Sequence, residues 1–304
     1  TFILVLAIAS FMGIGAYAAN YELYAPGSPN IDVPNGKLDA SSYSISVGDV
    51  CTLMESYTGS LAVPAGTTLI IPQSVTAGTI TNSGELQLNG TAGTITNSAA
   101  TDKVTIGSTC TGTVNVVSGT VNVNGAGTSV TITGTPDTIN VNSGTPSISA
   151  TINTLNNNGD IIITGGTVGK LNNNAGSANL SGGTVTNLDN KATFTGTSGT
   201  VTGTVNNFKY INDFGGTASG ATSITNNSGA NIDHAGAIGS YTTLTNAVGA
   251  IENKKQLCSC LNMITPPPSD QIAEHASPTC GDATCPDCGG KMSSHLSTCK
   301  SYKF

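Results

Sequence analysis

Cysteine and histidine gather near the end of this chain in a spacing that metal or disulfide chemistry can use. Cys285-Pro286-Asp287-Cys288, followed by His295 and Cys299, reads as C-x2-C-x6-H-x3-C. That spacing can place three thiolates and an imidazole around a tetrahedral Zn²⁺. Cys258, Cys260 and Cys280 come just before. Six cysteines in a short segment also suit three disulfides, and a small exported module with too little core of its own normally depends on such cross-links. The expectation is therefore disulfides among Cys258, Cys260, Cys280, Cys285, Cys288 and Cys299 and no cofactor. Zn²⁺ on Cys285, Cys288, His295 and Cys299 is the alternative. Cys51 and Cys110 lie far upstream and read as small buried residues rather than as a bridge.

A second candidate set is acidic. Asp213, Asp233 and Glu252 recur at similar offsets late in the chain, with His234 alongside, and paired carboxylates can serve as acid and base or hold Ca²⁺. The chain has no Arg, no Gly-rich phosphate loop between strand and helix, and no nucleophile elbow. These carboxylates read as solvated turn residues, and no catalytic residue is assigned. A carbohydrate-active enzyme is the alternative these carboxylates leave.

What must position any of these groups is a repeat. Leu155-Asn156-Asn157-Asn158, Leu171-Asn172-Asn173-Asn174, Leu188-Asp189-Asn190-Lys191 and Val205-Asn206-Asn207-Phe208 are followed by looser copies led by Ile224 and Leu244, at intervals of 16, 17, 17, 19 and 20 residues. So short a period cannot enclose a core by itself, so each unit buries its apolar face against the next. Units this rich in Thr, Val, Ile, Gly and Asn read as coils of strands joined by turns. The fold class expected is mainly β, a parallel β-solenoid (β-helix), with an apolar N-terminal α-helix and a small Cys-rich C-terminal module.

The period also predicts columns. Leu155, Leu171, Leu188 and Val205 stack inward. Asn156, Asn172, Asp189 and Asn206 form one side-chain ladder, and Asn157, Asn173, Asn190 and Asn207 the next. Gly166-Thr167-Val168, Gly183-Thr184-Val185 and Gly199-Thr200-Val201 mark a turn followed by an inward Val. Ala77 to Ser83 recurs letter for letter as Ala92 to Ser98, so the repeat begins well before the Asn phrase. About ten coils would make a rod of roughly 50 Å.

Composition narrows the partners. The net charge is −7, with 9% charged and 5% aromatic residues. With no basic patch to neutralise phosphates, nucleic acid is excluded as a partner, and an acidic, largely uncharged surface suits an extracellular setting. Asn89, Asn179 and Asn226 head N-glycosylation sequons, which matter only in a host that glycosylates.

The N-terminal segment from Thr1 to Ala19 carries no charge. Ala16-Tyr17-Ala18 fits a signal-peptidase pattern, but no Met and no positive region precede the apolar run, which reads as a chain whose leader was removed upstream. About 19 apolar residues also suffice to span a bilayer. An apolar start followed by Tyr21, Tyr24 and Pro26 resembles the type IV pilins over roughly the first 25 residues. Val5 departs from that family, which commonly has Glu there. The resemblance implies a homopolymer whose helices bundle in a filament core through Phe2, Ile3, Leu4, Val5, Leu6, Ile8, Phe11, Met12 and Ile14.

The domains expected are an apolar assembly or anchor helix over 1–25, a linker and N-terminal cap over 26–75, the solenoid over 76–252 and the Cys-rich module over 253–304. The function expected is a structural subunit of an extracellular, cell-surface, pilus-like filament. It would partner with itself and meet membrane only before assembly or as an anchor. A helix-anchored adhesin offering its neutral Thr/Asn flank to glycans or a neighbouring cell surface is the alternative.

Overall fold

The computed structural model describes residues 19–29, 37–125, 129–212, 220–234 and 243–254. Over these residues the chain forms 27 strands, from Asn20–Tyr24 to Ile251–Lys254, and no helix. Twenty-five strands join one continuous ladder, and Thr76–Ala77 with Thr91–Ala92 makes a separate pair. Paired residues lie about one coil apart in the chain. Val50–Leu53 pairs with Thr68–Ile71 and that strand with Glu85–Leu88, while Leu61–Val63, on another wall, pairs with Ile80–Asn82, all in parallel. This is a parallel β-solenoid of about twelve turns. Twelve ladder steps give a rod about 58 Å long.

Strict alternation builds each wall. In Lys103–Gly107, Val104 and Ile106 are fully buried while Lys103 and Thr105 face outward. β-Branched residues suit this pleated, half-buried surface. Stacked through the registers, the first wall carries one inward column: Cys51, Leu69, Leu86, Val104, Val121, Ile139, Leu155, Leu171, Leu188, Val205 and Ile224. Each of these residues is at most 1% exposed. Fully burying one such side chain contributes about 1.5–3 kcal/mol. Tyr21 and Leu244, at the two ends, are only partly buried.

Two residues further along the same wall lies a second inward column whose chemistry changes halfway. It runs through Ile71, Leu88, Ile106, Val123 and Val141, then continues as Asn157, Asn173, Asn190, Asn207, Asn226 and Asn246. The other walls are closed by Val114, Ile132, Ile148 and Ile163, by Ala178, Phe194, Ile211 and Ile232, and by Ile152, Val168, Val185 and Val201.

The glycines before these last valines meet different needs. Gly166 and Gly183 adopt φ of 74° and 72°, and a Cβ on Gly166 would come within 2.1 Å of the Ala150 carbonyl oxygen. Gly199 does not need that conformation. It lies over Leu180, whose Cγ would stand 2.5 Å from an added Cβ.

The ladder starts earlier in the chain than the repeat alone indicates. Parallel pairing reaches back to Asn20–Tyr24, which meets Lys37–Asp39 and Val50–Leu53. The stretch expected as linker and cap thus already contributes strands to the ladder, and the coils exceed ten because those early ones lack the Asn phrase. Residues 20–24, the last of the stretch expected as helix, form a strand. Residues 1–18 and 255–304 lie outside the described residues. With them go the assembly residues from Phe2 to Ile14, the six tail cysteines and His295.

Candidate functional site

The outward face of the first wall carries the most regular polar arrangement of the molecule. Asn122, Asn140, Asn156, Asn172, Asp189 and Asn206 occupy one register position in successive coils. Asn140 Nδ2 donates to Asn122 Oδ1 at 2.9 Å, Asn156 to Asn140 at 2.8 Å, Asn172 to Asn156 at 2.7 Å and Asn206 to Asp189 at 2.8 Å. Every donor points toward the N-terminal coil. The rank is interrupted at Asp189, whose carboxylate has no proton to give Asn172. Its other oxygen accepts instead from Lys170 Nζ at 2.9 Å. Burial pushes the Asp189 carboxyl up, but the bonds from Lys170 and Asn206 and the charges of Lys170 and Lys191 hold it below its ordinary value.

The inner ladder runs the opposite way. Asn157 Nδ2 donates to Asn173 Oδ1 at 2.8 Å, and donation continues to Asn190, Asn207, Asn226 and Asn246 at 2.7, 2.8, 2.9 and 3.1 Å. At two of the coils the turn that follows the strand fixes this polarity. Asn157 Oδ1 accepts the Gly159 N–H and Asn207 Oδ1 the Lys209 N–H, which leaves the amide nitrogen to face the next coil. There it also reaches a carbonyl, Thr193 for Asn173 and Tyr210 for Asn190. An unsatisfied buried amide costs about 1–3 kcal/mol, which explains why these fully buried side chains are bonded on both sides. Asn82 and Asn97 make the same contact earlier in the rod.

Beside the outward amides stands a column that sequence reasoning missed. Thr120, Thr138 and Thr154 share one register position, two residues before Asn122, Asn140 and Asn156. Its signal is Thr-x-Asn in three consecutive coils, a shorter phrase than the Leu-Asn-Asn repeat beside it. Elsewhere hydroxyls pair with each other, Thr184 with Thr200 at 3.2 Å and Thr76 with Thr91 at 2.9 Å.

The acidic candidates are not brought opposite one another. The register sets Asp233 against Asn253 and Glu252 against Ile232, and Asp213 lies outside the described residues. Tyr210 donates to Asp233 Oδ2 at 3.4 Å. Among the described residues no group of three or more His, Cys, Asp or Glu is arranged to hold a metal ion. Cys51 and Cys110 are free and buried. They belong to coils three ladder steps apart, about 14 Å, which is too far for a bridge. Burial pushes both thiols up to about 11, with the Asp49 charge adding to the effect at Cys51. Of the sequons, Asn226 is fully buried in the inner ladder and closed to glycosylation in the folded chain. Comparison with known protein families, with curated proteins and with solved structures finds no match to this chain.

Proposed function

We propose that the chain is a structural stalk of the cell surface: a rigid rod held by its apolar segment in a homopolymeric, pilus-like filament and carrying its Cys-rich module at the far end. The observation that carries this reading is where the chain enters and leaves the ladder. Ala19 is bonded into the first coil, its N–H to Asp49 Oδ1 at 2.9 Å and its carbonyl to the Val50 N–H. The chain leaves from Ile251–Lys254 in the last coil. The parallel solenoid thereby separates Ala19 from Lys254 by about twelve ladder steps, close to 58 Å. An uncharged run from Thr1 to Ala19 needs cover from water, and copies of itself provide it without a bilayer. Small residues such as Gly13, Gly15 and Ala16 allow close helix approach.

Negative-stain imaging of the full chain beside a chain lacking residues 1–18 tests this reading. Filaments from the full chain and single rods about 60 Å long from the shortened one are expected. Filaments from the shortened chain would overturn the assembly role of the apolar segment. A full chain that inserts singly into vesicles and forms no filaments would replace it with a membrane anchor.

A further inference from the structure

We infer that the outward face around Thr138 and Asn140 is a binding surface for a neutral, extended polysaccharide lying along the rod axis. The inference goes beyond the stalk reading and holds however the apolar end is covered. Three properties of the face carry it. First, the amides are preorganised: Asn122, Asn140 and Asn156 are fixed by each other at 2.8–2.9 Å, so little side-chain freedom is lost on binding. In each link one N–H and one lone pair are used, and an amide has two of each, so a rank of donors and acceptors remains on the solvent side. Second, the adjoining hydroxyls of Thr120, Thr138 and Thr154 are half-buried and have no partner among the described residues, unlike the paired hydroxyls of Thr184 and Thr200.

Third, the face carries no unbalanced positive charge. In the threonine column the flanking charges are Lys103, opposite Glu85, and Lys170, bonded to Asp189. Each cation thus has a carboxylate one coil away, and Asp137, beside Thr138, adds a carboxylate whose oxygens accept from the Gly119 N–H and Asn153. A polyanion finds no cation to bind there, and an extended peptide finds no open strand edge, because the backbone groups of this wall are used in the ladder. What fits is an uncharged chain whose hydroxyls recur with a spacing comparable to the coil repeat of about 4.8 Å. Extended β-linked pyranose chains have that character. Each contact is weak, and repetition along successive coils supplies the retention.

The test is cosedimentation of the full chain, kept in detergent, with microcrystalline cellulose and with chitin, and with insoluble cross-linked pectate as the charged control. Retention on a neutral polymer and not on pectate is expected. Replacing the three hydroxyls together, Thr120→Val, Thr138→Val and Thr154→Val, keeps strand-forming residues in place and is expected to lower retention at least tenfold. Thr138→Lys, projecting from the same spot, is expected to do the same, whereas Thr184→Val with Thr200→Val leaves retention unchanged. Circular dichroism melting shows that each variant is folded. No retention by the parent chain on either neutral polymer, equal retention on pectate, or retention unaffected by the triple replacement would overturn the inference. So would ice shaping by the parent chain without polysaccharide retention, which would assign the same face to ordered water.

Discussion

Lys170 Nζ meets Asp189 Oδ2 at 2.9 Å across one ladder step, at the point where the outward amide rank would otherwise pass from Asn172 to Asn206. The contact follows from hydrogen-bond polarity. In this rank every donor faces the N-terminal coil, so a carboxylate can accept from Asn206 but has nothing to offer Asn172. An ammonium from the neighbouring coil takes the place of the missing link. Both side chains remain partly exposed, 49% for Lys170 and 27% for Asp189, so the pair contributes modestly.

Asp189→Asn should restore an uninterrupted rank from Asn122 to Asn206 and change stability at pH 7 by less than about 1 kcal/mol. The acid response should differ more. The folded-state pKa of Asp189 lies below its ordinary value, so its contribution is present above the unfolded pKa and is lost as pH falls through the folded one. Melting curves from pH 7 down to 2 are expected to converge for parent and variant, with the parent losing more stability below pH 4. A parent curve no steeper than the variant's in that range would contradict the assignment.

The cysteines should separate into two classes. With thiols pushed up to about 11, Cys51 and Cys110 are almost wholly protonated at pH 8, with roughly one thiolate per thousand, and their burial adds a steric block. A thiol reagent should label neither in the folded chain. Under denaturant without reductant two of the eight cysteines should react, because the six tail residues are expected as three disulfides, each lowering the mass by about two hydrogens. Eight labels without reductant, together with one Zn²⁺ per chain, would select the metal alternative.

The inward column was readable because period and residue type agree there. Leu155, Leu171, Leu188 and Val205 recur at 16 to 17 residues and stack as the spacing requires. The early coils were not readable, because Leu69, Leu86 and Val104 sit in the same column without the Asn phrase, and Tyr21 and Cys51 stand 30 positions apart rather than 16 to 17. The threonine face was hidden for another reason. Whether a hydroxyl is paired depends on the offset between coils, and no single stretch of sequence contains that offset.

Leu188→Ala tests the core in the middle of the rod. Leu188 is fully buried, with Leu171 on one side and Val205 on the other. In a solenoid each coil contacts only its neighbours, so the vacated space can be filled only by those two coils. A loss of about 2–5 kcal/mol is expected in denaturant unfolding. A loss below about 0.5 kcal/mol would mean that the site collapses freely and that the coils are not rigidly stacked.

Asn190→Asp should give the opposite pH signature to Asp189, because Asn190 is fully buried whereas Asp189 is partly exposed and bonded to Lys170. Asn190 accepts from Asn173 Nδ2 and donates to Asn207 Oδ1. A carboxylate there keeps the first bond and sets two acceptors against each other at the second, in a site with no exposure. An uncompensated buried charge of this kind costs about 3–5 kcal/mol. Protonation relieves it, since the carboxylic acid can then donate to Asn207. The folded-state pKa is therefore raised, and the penalty is absent below the unfolded pKa, grows as pH rises from there to the folded one, and is full above it. The variant is expected to melt at a higher temperature at pH 4 than at pH 7, while the parent shows no such gain. A variant as stable as the parent at pH 7, or one that weakens further on acidification, would show that Asn190 is not held as a buried hydrogen-bond donor in the inner ladder.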